Sequence, residues 1–116
     1  MTIQSLRRFA LALTGVTEEP HFEYASFWVS GNIFVTAPPE ATHIHVFVED
    51  EDRERALELH AEYIEKLWWG KKVRGVRIAM AKAQSDVVKA LVRAAWARRA
   101  PKQRLSASKI RSNGRA

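Results

Sequence analysis

Four cations, Lys71, Lys72, Arg74 and Arg77, follow directly on the indoles Trp68 and Trp69, with Gly70 between them. Lysine and arginine neutralise phosphates and release counterions, and an exposed indole can stack on a base. A loop or wing carrying these residue types side by side has the chemistry to enter a nucleic-acid groove. Further cations gather at the C-terminal end. From Val87 onward there are nine Lys or Arg and no acid, whereas the first 86 residues hold ten cations against thirteen acids, a net of −3. Arg98 and Arg99 close the last predicted helix, where the helix dipole favours positive charge. Lys102, Arg104, Lys109 and Arg111 lie beyond it, in a stretch that no fold requires to be basic. Phosphate contacts from such a tail would be salt-dependent and blind to sequence.

Other groupings point to less. His43 and His45 alternate on one strand and share a face, but two imidazoles fall short of the three or four ligands zinc requires. The acids Glu49, Asp50, Glu51, Asp52, Glu54 and Glu58 have no fixed ligand spacing, and carboxylates in a first helical turn suit the dipole without any cation. Neither grouping predicts a metal. There is no cysteine, no glycine-rich phosphate loop, no nucleophile elbow and no H-E-x-x-H helix, and neither Ser26 nor Ser30 has a base that the sequence can place. The chain therefore reads as non-enzymatic, with no cofactor.

The elements that must position these residues follow from periodicity. A length of 116 residues fits one domain, expected over residues 1–100, with 101–116 as a basic, flexible tail. Leu6, Phe9, Ala10 and Leu13 recur at helical spacing, and Arg7 and Arg8 interrupt what would otherwise resemble a secretory h-region. Thr2 is the expected cap of this helix and Gly15 its stop. Residues 22–30 alternate as a strand, Gly31-Asn32 is a turn, 33–37 returns as a hairpin, and 43–49 makes a third strand. Asp50 is then expected to cap a second helix running through EDRERALELHAEYIEKL, with Leu57, Ala61, Ile64 and Trp68 on one stripe and Gly70 as its breaker. A strand over 73–80 contains Gly75, which suggests a bulge or a close backbone approach. Ser85 is expected to cap the last helix, which runs to about Arg99. The predicted order is α-β-β-β-α-β-α, an α+β fold whose antiparallel sheet is covered on one face by helices. The predicted core is Leu6, Phe9, Leu13, Phe27, Val29, Phe34, Val46, Val48, Leu57, Ile64, Val76, Ile78, Val88, Leu91, Val92 and Trp96. Trp28, His45, Phe47 and Arg77 fall on opposite parities, and would form an aromatic-basic platform on the uncovered face.

The segments RRFALALTGVTEEPHFEYASFWVSGNIFVT, KLWWGKKVRGVRI and VVKALVRAAWARRAPK resemble the MmcQ/YjbR-like family, over roughly residues 5–102. The most specific parts are residues 13–19, the Phe27-Trp28-Val29-Ser30-Gly31 strand and turn, and Trp69-Gly70-Lys71-Lys72. That resemblance implies a two-layer sandwich similar to the CyaY/frataxin fold, in a bacterial protein, and DNA binding in a double-wing mode.

The residues and the resemblance together predict a cytoplasmic, monomeric nucleic-acid-binding module with weak sequence specificity. Its expected contacts are Trp69, Lys71, Lys72, Arg74, Arg77, Arg98 and Arg99 with the tail cations, and no membrane association is expected. The competing expectation is a protein- or small-ligand-binding module that uses the exposed aromatic sheet face. One continuous positive face would favour the first, and dispersed charge around a concave aromatic patch the second.

Overall fold

A computed structural model describes residues 1–40 and 42–100. Three helices and six strands follow the order α1 (Ile3–Ala12), β1 (Thr17–His21), β2 (Tyr24–Val29), β3 (Asn32–Ala37), β4 (His43–Val46), α2 (Asp50–Leu59), β5 (Ile64–Trp69), β6 (Lys72–Ala79) and α3 (Ser85–Arg99). All strand pairs are antiparallel, and the sheet runs β1-β2-β3-β4-β6-β5. The fold is α+β, as expected, but two strands were not anticipated.

The first is β1. TEEPH offers no apolar alternation, and it is an edge strand that pairs only with β2. An edge tolerates Pro20, because a strand with a single neighbour needs fewer ladder donors, and Glu18 and Glu19 discourage pairing with another chain. Trp28 Nε1 donates to the Glu19 carbonyl at 3.3 Å, and Arg7 of α1 reaches Glu18 at 2.9 Å. These contacts hold an otherwise solvent-facing strand.

The second is β5, and it corrects the predicted second helix. The helix ends at Leu59, so Leu57 alone of the expected stripe lies on it. Ile64 and Leu67 are both buried, three residues apart, on opposite faces of a strand. In sequence that spacing imitates a helical stripe. Trp68, placed on that stripe by the helical reading, is 56 % exposed. Gly70, at φ 62°, begins the turn that joins β5 to β6 and breaks no helix. The caps shift by one residue: Glu49 precedes α2 and Gln84 precedes α3, neither with a side-chain capping bond, while Thr2 caps α1 through the Ser5 amide. The β2–β3 hairpin turns at Ser30 and Gly31, both at positive φ, and Asn32 already belongs to β3.

The helices pack on the face that carries Phe27, Val29, Val35, Ile44, Val46, Ile64, Val76 and Ile78, and meet it with Leu6, Ala10, Ala56, Val88, Val92 and Ala95. Twelve of the sixteen predicted core residues are buried there, and Phe9, Leu13, Leu57 and Trp96 pack against them partly exposed. Phe34 and Val35 are both fully buried although adjacent, because the register slips between β2 and β3 and a bulge turns consecutive side chains inward.

The uncovered face carries a polar row through all six strands. Glu19 faces Ser26, then Thr36, His45, Arg77 and Glu65 in successive pairings. His45 lies 3.4 Å from Thr36 Oγ1, and Arg77 donates to Glu65. Burial holds the His45 imidazole below its ordinary value, and Arg77 and His43 push the same way against a weaker pull from Glu40. A histidine that resists protonation when folded stabilises the fold above its unfolded value, near 6.5, and loses that contribution as pH falls toward the folded one. The thermal midpoint should therefore drop more between pH 7.5 and 5.5 for the native chain than for His45→Gln. Equal drops would show that His45 carries none of the acid sensitivity.

Candidate functional site

Strand lengths create the site. β4 has four residues, between the six of β3 and the eight of β6. The β2–β3 and β5–β6 hairpins, turning at residues 30–31 and 70–71, project from the same end of the sheet, and β4 stops between them. The resulting notch is a cleft of about 780 Å³. Its floor is the chain leaving β4, Phe47 to Glu49, and one wall carries Gly31 to Ile33 with Trp28 behind them. The opposite wall carries Trp69, Val73 and Arg74, while the start of α2 and the end of α3, with Arg98 and Arg99, close the helical side.

Gly75 makes this arrangement possible. A Cβ there would stand 2.1 Å from the Val46 carbonyl oxygen and 2.9 Å from Phe47 Cα, so the backbones of β4 and β6 touch where the notch begins. The register also slips between Leu67 and Trp68, opposite Gly75 and Val73. Both the bulge and the close approach expected of this glycine occur.

The aromatic groups are locked together. Phe47 is 5 % exposed and meets Trp69 edge to face, with ring centroids 5.0 Å apart. Trp69 remains 51 % exposed, and the Arg74 guanidinium lies 5.8 Å from its ring centre. Arg99 is half-buried and donates through Nη1 to the Phe47 carbonyl at 2.8 Å and to the Ala95 carbonyl at 3.1 Å, pinning the last turn of α3 to the floor. Burial lowers the affinity of Arg99 for its proton, and the neighbouring Arg98 and Arg74 add to that, with Glu49 opposing. Three guanidinia therefore line one cleft, Arg99 half-buried and Arg74 and Arg98 exposed. Among the described residues no salt bridge involves Arg74, Arg98 or Arg99.

Glu49, Asp50, Glu51 and Asp52 line the other lip. Part of their charge is answered within α2, by Arg53 on Asp50 at 2.8 Å and Arg55 beside Asp52 at 4.0 Å. The cleft is thus cationic on the wing side and acidic on the α2 side.

Of the residues predicted to bind, Trp69, Arg74, Arg98 and Arg99 converge on the cleft, and Lys71 and Lys72 are exposed at the adjoining hairpin tip. Arg77 does not join them. It sits in mid-sheet opposite His45, committed to Glu65. Lys102, Arg104, Lys109 and Arg111 lie outside the described residues. The expected platform divides: His45 and Arg77 stay in the polar row, whereas Trp28 and Phe47 line the cleft. Sequence reasoning missed that union with Trp69, for which the paired turn glycines Gly31 and Gly70 were the available signal. Among the described residues no group of His, Asp and Glu is placed to hold a metal ion, and no helix is long and apolar enough to cross a membrane.

No curated protein matches the chain. The crystal structure of a Deinococcus radiodurans protein with the domain DUF419 is similar to it, at a TM-score of 0.70 and 18% identity, covering 82% of this chain and 75% of that one. That likeness extends to the fold. The YjbR family model matches residues 11–98, which include both hairpins, the notch between them and α3 as far as Arg98, and the chain belongs to the YjbR family.

Proposed function

We propose that this chain is a non-catalytic nucleic-acid-binding protein, which grips DNA at the notched end of its sheet with weak sequence specificity. One observation carries the reading: Trp69, Lys71, Lys72 and Arg74 occupy one hairpin tip, and α3 delivers Arg98 and Arg99 to the same cleft. Through residue 100 the chain has fourteen cations and thirteen acids, so this clustering reflects segregation and not a basic fold. The two hairpins that flank the notch support the double-wing mode that the family resemblance implies, and the one-sided helical layer supports a frataxin-like sandwich. Weak specificity follows because α3, the longest helix, buries Val88, Leu91, Val92 and Ala95 against the sheet and presents no base-reading row.

The test is fluorescence anisotropy with labelled single- and double-stranded DNA over a salt series. Lys71→Ala/Lys72→Ala should lower the slope of log affinity against log salt by about 1–2, through the loss of two phosphate contacts. A chain ending at residue 102 should keep that difference. Binding that disappears with the tail alone would remove the folded domain from the reading, and no binding at low salt would end it.

A second reading, a small-ligand or protein-binding module, is favoured by the concavity itself. The 780 Å³ cleft falls within the size usual for small-molecule sites, roughly 300–1,000 Å³, and Trp28, Phe47 and Trp69 give it an aromatic part beside its charged lips.

A further inference from the structure

We propose that the notch is an end pocket, one that takes a terminal phosphomonoester together with its adjoining base; this deepens the nucleic-acid reading and rests on it. The cleft does not have the charge of a through-groove. A strand crossing it from the wings would next meet Glu49, Asp50, Glu51 and Asp52, where each further phosphodiester is repelled. Only a strand that stops in the notch presents its last phosphate to Arg74, Arg98 and Arg99 while its remaining phosphates leave past Lys71 and Lys72.

The number of cations also favours an end. A phosphomonoester carries a charge of about −1.5 to −2 with three acceptor oxygens, against −1 for a diester. Among the described residues no carboxylate is in salt-bridge contact with Arg74 or Arg98, and Arg99 is held by two neutral carbonyls, so the three guanidinia keep their forks open to an anion although Glu49 to Asp52 line the opposite lip. Guanidinium groups suit such an anion better than ammonium groups, because their planar forks bind phosphate oxygens in pairs. Beside them, Phe47 fixes the Trp69 ring from within the fold and leaves half of it open, which is the platform a terminal base needs.

The experiment uses the full chain and one short labelled single strand prepared with a 5′-phosphate, a 3′-phosphate or hydroxyls at both ends. A phosphate at one end should raise affinity by about tenfold or more, and a free nucleoside monophosphate should compete for that gain. The arm that gains identifies which end is held. Arg98→Gln and Arg74→Gln, both at exposed positions, should each erase most of the preference at unchanged thermal midpoint, while Arg8→Gln, on the helical layer, should keep it. Equal affinity for all three strands would overturn the end pocket and leave the nucleic-acid reading standing. Tight binding of the free nucleotide without binding of any strand would overturn the nucleic-acid reading and keep the pocket. Failure of both ligands would overturn both.

Discussion

Gly75→Ala should lower stability by about 3–5 kcal/mol, a large share of the 5–15 kcal/mol typical of a whole domain. The added methyl would lie 2.1 Å from the Val46 carbonyl oxygen, and the three nearest atoms it meets are all backbone of Val46 and Phe47. A flexible side chain could swing away; a strand can move only by opening the β4–β6 ladder, on which Ile44, Val46, Val76 and Ile78 meet in the core. Relief would also push the Phe47 floor into the cleft, so any folded fraction should bind its ligand more weakly. Chemical denaturation followed by far-UV circular dichroism measures the first effect directly. A midpoint within experimental error of the native chain would show that the two backbones do not meet there. Gly31→Ala makes a useful contrast. Nothing lies within 4 Å of the corresponding Cβ, and the cost is the positive φ of 78° alone, about 1 kcal/mol.

Phe34→Ala should cost a comparable amount, about 3–5 kcal/mol, by the same assay. The ring is fully buried in the core cluster, and its removal loses the transfer free energy of the side chain and leaves a cavity that the sheet cannot collapse to fill. At about 4–8 °C per kcal/mol for a domain of this size, the melting midpoint should fall by tens of degrees. The position also shapes the cleft. The Phe34 carbonyl accepts from the Phe47 amide at 3.1 Å, which ties the bulged strand β3 to the floor of the notch. Phe34→Leu, which keeps most of the volume, should retain more than half of the lost stability. If leucine and alanine cost the same, the bulge geometry and not packing would be what the phenylalanine provides.

Periodicity made much of this fold legible. Alternation in residues 22–30 and 43–49 and the three-to-four spacing of Val88, Leu91, Val92 and Ala95 are local patterns, and each produced the element it indicated, though the strands are shorter, at 24–29 and 43–46. The core followed from them because a residue's face is set by its parity or its helical phase. The two misread segments failed for opposite reasons. β1 has no apolar signal, since an edge strand facing solvent needs none. β5 has a misleading one, since Ile64 and Leu67 bury on opposite faces at a separation that a helix would place on one.

What the sequence determined by itself was the α+β class, the composition of the core, the exposure of the Lys71-Lys72 tip and the special demand on Gly75. Each depends on near neighbours along the chain. The cleft was decided only by tertiary structure. Trp28, Phe47, Trp69, Arg74 and Arg98 are brought together because β4 is inserted between β3 and β6 and ends before either neighbouring hairpin does. The same pairing took Arg77 out of the cationic group, by setting it opposite His45 and beside Glu65. Strand order and register fix which distant residues meet, and they depend on the packing of every element at once, which no local spacing in the chain encodes.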